Sequence, residues 1–176
     1  MDFYNNQLEK WDLCRNNHNA LNEVQIRSFN IDGNIINVQF NPARAVSTLA
    51  KLDKSSIETR PCFLCEKNKP VEQDSIAIKV GMEFSIMVNP YAILPYHLTI
   101  SSKKHIPQIL ADKTNMQLPL MILNRIEEHL GKGYAVFYNG AKCGASAPDH
   151  FHFQAAKQDD IPFIKQWDRI FASSEE

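Results

Sequence analysis

The sequence lacks the features of several classes of protein. No apolar run approaches the ~18 residues that a membrane-spanning helix needs, and the first residues have neither the basic start nor the apolar stretch of a secretion signal. Lysine and arginine total 19 against 20 aspartate and glutamate, a formal net charge of −1. Such a chain has no basic excess for nucleic-acid phosphates or a membrane surface. We therefore expect a cytoplasmic protein with neither nucleic-acid nor membrane partners.

Cysteine is also scarce, with only four in the chain. Cys14 and Cys143 have no spaced partner, whereas Cys62 and Cys65 form a Cys-x-x-Cys pair. Such a pair in an intracellular chain is typical of metal binding or redox chemistry rather than of a disulfide framework. A thioredoxin-like motif is disfavoured because the pair does not open a helix in a βαβ unit. Two buried or free thiols remain the alternative to a metal site.

The apolar pattern predicts one α+β domain over residues 1–176. An apolar content of 44% suffices for a single core. Residues 1–22 carry a weak helical pattern, and Asp32-Gly33 predicts a hairpin over residues 24–40. Further strands are expected at 75–80, 83–88, 96–101, 134–138 and 150–154, helices at 115–130 and 161–171, and a loop with a short helix within 43–58. Strands joined by hairpins, with the helices set aside, predict an antiparallel sheet.

The most informative strand is His150-Phe151-His152-Phe153-Gln154. Side chains alternate along a strand, so His150, His152 and Gln154 are expected on one face. Three polar groups on one face are costly to bury without partners. This pattern allows three interpretations: a solvent-exposed edge strand, a His-x-His metal pair, or a histidine nucleophile with polar neighbours.

The loop before this strand, residues 139–148, is rich in glycine and small residues. Its glycines, among them Gly144, allow backbone N–H groups to approach an anion, and the side chains of Asn139 and Ser146 add donors. Taken alone, the loop is better explained as an ordinary hairpin connection. Beside the histidine face, an anion site becomes the better interpretation.

Two segments together carry a family resemblance. The run His97–Gln108, followed by Asn139-Gly140, Gly144, Ser146 and then 150–154, resembles the histidine triad superfamily. Glutamine at the third motif position resembles its nucleotidyltransferase and phosphorylase branch, which includes galactose-1-phosphate uridylyltransferase and diadenosine tetraphosphate phosphorylase. The chain is most similar to bacterial ATP-adenylyltransferase-like proteins, over about residues 40–156. This resemblance implies a histidine-triad-like antiparallel β-sheet with flanking helices.

The resemblance also implies an activity and the residues that perform it. His152 would attack the α-phosphorus of a dinucleoside polyphosphate or nucleotide-sugar and form a covalent nucleotidyl-histidine. Gln154 would donate a hydrogen bond to a phosphoryl oxygen. Asn139, Ser146 and the Gly144 loop would contact the phosphates. Arg44 and Lys142 are candidate cations beside them, although each residue is more typical of a solvated surface charge. Phosphate or a sugar phosphate would then accept the nucleotide.

The same resemblance implies a structural zinc site formed by Cys62, Cys65, His105 and His150. Zinc takes four such ligands in a tetrahedron, and the chain has no second Cys-x-x-Cys to complete a Cys₄ site. Two alternatives are a metal-dependent hydrolase with His150 and His152 as ligands, and a non-catalytic zinc-stabilised nucleotide-binding module. Two arrangements of the protein also stay open: a homodimer, or a longer chain of which residues 1–176 are the N-terminal part.

Three further residues have simpler expectations. His97 reads as a structural histidine whose polar groups are satisfied inside the protein. His18 is expected to be exposed on a helix, and Trp11 to serve packing.

Overall fold

The computed structural model describes residues 2–44, 53–110, 113–167 and 172. Within these residues, seven strands form two antiparallel sheets. The larger sheet has the order β3-β4-β5-β7-β6 and consists of β3 (Ile76–Val80), β4 (Met82–Val88), β5 (Leu98–Ser102), β6 (Tyr134–Phe137) and β7 (His152–Lys157). The smaller is a hairpin of β1 (Gln25–Ile31) and β2 (Asn34–Phe40), joined at Asp32-Gly33 as expected.

The helices flank the larger sheet and the hairpin. They are α1 (Phe3–Lys10), α2 (Asp12–Asn19), α3 (Lys54–Thr59), α4 (Lys113–Leu130) and α5 (Pro162–Lys165), with 3₁₀ turns at Ala20–Glu23, Pro42–Arg44, Glu66–Asn68 and Gln158–Asp160. The predicted helix 115–130 is confirmed, and Gly131 at φ +83° ends it in the left-handed region. Residues 45–52 of the predicted loop and 168–171 of the predicted last helix lie outside the described residues. The α+β class with an antiparallel sheet and flanking helices is confirmed.

The register of the larger sheet separates an apolar face from a polar one. Residues directly opposite each other in neighbouring strands share a face. One face carries the rows Ile86–Ile100–Phe153 and Val88–Leu98–Ala155, and the other carries Ser85–Ser101–His152 and Met87–Thr99–Gln154. The apolar face belongs to one buried cluster with Leu118, Ile122 and Ile126 of α4. The polar rows are therefore held in place by a core that lies on the opposite side of the same strands.

Three phenylalanines anchor that core. Phe84, Phe151 and Phe153 are at most 1% exposed, and their ring centroids lie 5.2–6.2 Å apart. Burying each side chain contributes about 1.5–3 kcal/mol. The expectation that Phe151 and Phe153 face the core is confirmed.

The N-terminal helices dock through buried polar groups. Gln7 is 0% exposed; its Nε2 donates to Glu72 O and its Oε1 accepts from Asp74 N–H. His18 was expected to be exposed, and this is wrong: it is buried, with Nε2 donating to Asn89 O. The weak helical pattern did not reveal this burial because the partners of these polar groups lie about 65–71 residues away.

The β1–β2 hairpin stands apart from the core. All fourteen of its strand residues are exposed. Gln166 holds its second strand by donating to Ile35 O and accepting from Ile35 N–H. Among the described residues, no helix has the length and apolarity to cross a membrane.

Candidate active site and metal centre

The polar face of the larger sheet lines a cavity of about 570 Å³. All six residues that the sequence predicted to have a catalytic or phosphate-binding role border it, and they come from three separate parts of the chain: Arg44, Asn139, Gly144, Ser146, His152 and Gln154. Met87 and Thr99 contribute from the neighbouring strands. The fold thus brings these residues to one cavity, and their individual roles stay predictions.

The protonation of His152 follows from its hydrogen bond. Its Nδ1 lies 2.7 Å from the backbone oxygen of His150. A carbonyl oxygen only accepts, so Nδ1 carries the proton and Nε2 keeps its lone pair. Burial is the main cause that lowers the pKa of His152. The ring is therefore neutral at physiological pH, with a nucleophilic nitrogen at Nε2.

Gln108 fixes the backbone at the same position. It is 2% exposed, and its side chain accepts from His152 N–H and donates to both His152 O and Asn139 O. One amide thereby holds the start of β7 and joins it to Asn139, which lies just after the end of β6. Gln108 could not be assigned this role from the sequence, since backbone hydrogen bonding by a side chain leaves no periodic signal.

His97 orients Gln154. Ile93 N–H donates to His97 Nδ1 at 3.3 Å, which makes Nε2 the protonated nitrogen. That Nε2 donates to Gln154 Oε1 at 2.8 Å, so the amide NH₂ of Gln154 is left for other acceptors. Burial lowers the pKa of His97 to about 3, and the ring stays neutral. The expectation of a satisfied structural histidine is confirmed, and its partner is a cavity residue.

Two guanidinium groups border the cavity, and within the described residues no carboxylate does. Arg44 donates through Nε to Tyr91 O, and its burial lowers its pKa. No described carboxylate pairs with it. A desolvated cation of this kind favours an anionic ligand.

Arg60 was missed by the sequence analysis. Its Nη2 donates to Ser146 O and to Asp149 Oδ1, both in the 139–149 loop. Its Nε is buried without a hydrogen-bond partner. In sequence, nothing distinguishes Arg60 from an ordinary surface arginine, because its hydrogen-bond partners lie 86 and 89 residues away.

The predicted metal ligands come together. One ligand atom from each of Cys62, Cys65, His105 and His150 lies within 4.8 Å of all the others. The Sγ atom of Cys62 is 3.3 Å from His150 Nδ1, and Cys65 Sγ is 3.2 Å from His105 Nδ1. A tetrahedral zinc with bonds of about 2.3 Å to sulfur and about 2.0–2.1 Å to nitrogen separates such atoms by roughly 3.6 Å.

The chemistry of this set also suits zinc. His150 Nε2 donates to Ser102 O at 2.7 Å, which leaves Nδ1 with the lone pair and directs it to the cysteines. Asp149 Oδ2 lies 3.7 Å from His105 Nε2, the ring nitrogen remote from the cysteines, and carboxylates in this position orient metal-ligating histidines. Two thiols and two imidazoles form a closed set of four, as in structural zinc sites. The four residues therefore fit the metal that the resemblance implies.

His150 does not share a face with His152, which corrects the sequence analysis. Strand β7 begins at His152, two residues later than expected, and His150 lies in the preceding turn, with its N–H bonded to Ala147 O. His150 faces the cysteines, whereas His152 lines the cavity. Within the described residues, His152 is in no group of metal-ligating side chains, so the geometry gives no support to a hydrolase that binds metal through both histidines.

A family model described as "Domain of unknown function (DUF4922)" matches residues 3–157. The chain belongs to this family. No curated protein matches this DUF4922 chain in sequence.

Solved structures of yeast Ap4A phosphorylase Apa2 are similar to the DUF4922 chain. The complex with Ap4A has a TM-score of 0.48 at 15% identity and covers 89% of this chain and 52% of that one. The complex with AMP has a TM-score of 0.41 at 14% identity, covering 86% and 49%. A third Apa2 structure has a TM-score of 0.42 at 17% identity, covering 89% and 48%. The DUF4922 chain spans about half the length of these proteins.

Proposed function

We propose that this protein is a nucleotidyltransferase or phosphorylase of the histidine triad superfamily, with His152 as its nucleophile. The observation that carries the proposal is the 2.7 Å contact between His152 Nδ1 and the backbone oxygen of His150. It keeps the proton on Nδ1 and the lone pair on Nε2, which is the state that nucleophilic attack requires. The substrate class is a dinucleoside polyphosphate or a nucleotide-sugar.

The reaction proceeds in two displacements. The Nε2 lone pair of His152 attacks the α-phosphorus, and the bond to the bridging oxygen breaks with its electron pair on the leaving group. An oxygen of phosphate or a sugar phosphate then attacks the same phosphorus, and the P–N electron pair returns to Nε2. The proton stays on Nδ1 throughout, and the His150 carbonyl stabilises the positive charge that the ring carries in the intermediate.

The groups around His152 suit the transferred phosphoryl group. The free NH₂ of Gln154 donates a hydrogen bond to a phosphoryl oxygen, and it cannot protonate a leaving group as a histidine would. Arg44 supplies the positive charge, and Asn139 and Ser146 supply donors from the loop whose turn at Gly144 (φ +87°) requires glycine. Cations and oriented donors are the main means by which proteins stabilise transferring phosphoryl groups.

Cys62, Cys65, His105 and His150 would hold a zinc ion in a structural role. Such an ion supplies no reacting group; it ties the Cys62–Cys65 turn to the segment that leads into β7. The carbonyl that fixes the tautomer of His152 belongs to His150, one of the ligands. Metal binding therefore positions the nucleophile through the backbone.

Intact-protein mass spectrometry tests the proposal. The wild type and His152→Ala are mixed with diadenosine tetraphosphate, ATP, GDP-glucose or UDP-glucose, with His129→Ala as the control because His129 is exposed on α4. We expect one added nucleoside monophosphate on the wild type and His129→Ala, lost again on addition of phosphate or a sugar phosphate. An adduct that persists in His152→Ala contradicts the proposal. Nucleotide binding without any adduct would instead favour the non-catalytic module.

A further inference from the structure

The lining of the cavity includes large apolar side chains, some of them from the N-terminal segment. Trp11 and Leu13 border the cavity together with Phe63 and Leu64 of the Cys62–Cys65 turn. Leu13 is 42% exposed and Phe63 44%, although both are large apolar side chains. Exposed apolar groups collected at a cavity are typical of a ligand site. Residues 11–13 lie outside residues 40–156, the part of the sequence that resembles the histidine triad superfamily.

The position of Trp11 in the backbone argues against a purely structural role. Trp11 separates α1 from α2 with extended dihedral angles (φ −127°, ψ 100°) and is the N-cap of α2. Its side chain makes no capping hydrogen bond, whereas Ser, Thr, Asp or Asn there would stabilise the helix by about 1 kcal/mol. Part of Trp11 packs against the buried core cluster, and the residue also borders the cavity. Packing, the role that the sequence predicts for Trp11, is thus only part of what this side chain does.

The same cavity also has cationic lining residues. Arg44 and Arg60 are the charged residues among its described lining. A ligand that complements both the apolar and the cationic side chains has an anionic group and a flat, uncharged aromatic group, which is the make-up of a nucleotide. Two polar side chains of the lining are already engaged: Gln73 donates to Val88 O, and Asn89 donates to Thr99 Oγ1 and accepts from Tyr91 N–H.

We infer that Trp11 is the stacking platform for the base of the nucleotide, and that recognition there is by stacking rather than by hydrogen bonds. The inference rests on the proposed function, for which it supplies the base-binding group. Stacking increases with ring area and is tolerant of base identity. Purine nucleotides should therefore bind more tightly than pyrimidine nucleotides that carry the same phosphates.

The test compares AMP with ribose 5-phosphate, which lacks the base, in calorimetric titrations of the wild type, Trp11→Ala and Trp11→Phe. The wild type should bind AMP more tightly than ribose 5-phosphate. Trp11→Ala should lose roughly tenfold or more in AMP affinity with ribose 5-phosphate unaffected, whereas Trp11→Phe keeps most of the difference. Trp167→Ala is the control, since Trp167 is not among the described residues of the cavity.

Fluorescence gives a second readout. The chain has two tryptophans, so Trp167→Phe leaves Trp11 as the single reporter. Its emission should change with AMP and GMP, less with UMP and CMP, and not with ribose 5-phosphate.

Three results would overturn the inference: equal affinity of the wild type for AMP and ribose 5-phosphate, no effect of Trp11→Ala, or an equal loss for both ligands. The mass-spectrometric test separates this failure from that of the proposed function. If the His152 adduct forms but Trp11→Ala has no effect on AMP affinity, the stacking role of Trp11 is wrong and the enzyme assignment stands. If Trp11 discriminates the base and no adduct forms, the enzyme assignment is wrong.

Discussion

His97 Nε2 lies 2.8 Å from Gln154 Oε1, and this contact determines which end of the amide is free for a ligand. The ring can donate there because Ile93 N–H occupies Nδ1. Without the N–H donor of His97, the Gln154 amide could turn either end towards a ligand. If its oxygen faced the ligand, it would repel the oxygens of a phosphoryl group. His97 is thus a positioning residue that acts through Gln154.

We predict that His97→Leu lowers the transfer rate about tenfold, the size expected for the loss of one hydrogen bond beside a charged group. The effect should fall mainly on kcat, since Gln154 is proposed to contact the phosphoryl group that is transferred. A double-mutant cycle with Gln154→Leu is the check. If His97 acts through Gln154, the second substitution adds little to the first; full additivity of the two losses would refute the role.

Gln108→Ala should reduce both stability and rate. The substitution leaves His152 N–H, His152 O and Asn139 O without their side-chain partner in a buried site. Unsatisfied buried groups cost about 1–3 kcal/mol each, so three of them cost at least about 3 kcal/mol, which lowers the Tm of a protein of this size by roughly 6–12 °C. Thermal unfolding followed by circular dichroism measures it. Gln25→Ala, at an exposed glutamine, is the matched control. An equal Tm for both variants would contradict the proposed role of Gln108 in holding His152 and Asn139.

Removing a metal ligand should reduce metal content and activity together. Cys65→Ser should lose the zinc that the wild type carries, about one ion per chain, because the hydroxyl is a much weaker ligand than the thiolate. Activity should fall with it, since His150 positions His152. Elemental analysis of the purified protein gives the metal content. Cys143→Ser is the control, an exposed thiol outside the cluster; zinc retained in Cys65→Ser would exclude the proposed ligand set.

Stability should fall as the pH is lowered below about 6.5. Burial lowers the pKa values of His18 and His97 in the folded state. Between the folded and unfolded pKa values the unfolded chain binds more protons, so the free energy of unfolding increases with pH. For His97 the window runs from about 3, its folded value, to about 6.5.

Urea unfolding at pH 7.5 and pH 5 measures this dependence. We expect a lower midpoint at pH 5 in the wild type, a smaller difference in His97→Asn, and an unchanged difference in His129→Asn. A wild type equally stable at both pH values would show that these histidines are not held neutral.

The sequence predicts elements better than it predicts contacts. The apolar runs on either side of Asp32-Gly33 predicted the hairpin, and the helical spacing of apolar residues predicted α4, because both are local patterns. His150 shows the limit: alternation holds only within a strand, and the bond from His150 N–H to Ala147 O places that residue in a turn. Its partners, Cys62 and Cys65, lie 88 and 85 residues away.

The residues that were missed share one property. Gln108 and Arg60 act through hydrogen bonds to backbone groups of the 139–152 region, and the buried His18 donates a hydrogen bond to the backbone oxygen of Asn89. Such contacts depend on the tertiary fold and leave no periodic trace in the sequence. The glycine-rich loop and the alternation over 150–154 pointed to cavity residues, and the resemblance added the spacing that assigned a role to each of them.

Mapping the covalent adduct to a single residue is the decisive experiment for His152 as the nucleophile. The wild type is incubated with the donor that adds mass, digested at neutral pH, and analysed by tandem mass spectrometry. We expect the nucleoside monophosphate on His152 alone, lost on brief acid treatment as a phosphoramidate would be, and absent from His152→Ala. A modification on Lys142, Cys143 or any residue other than His152 would contradict the account.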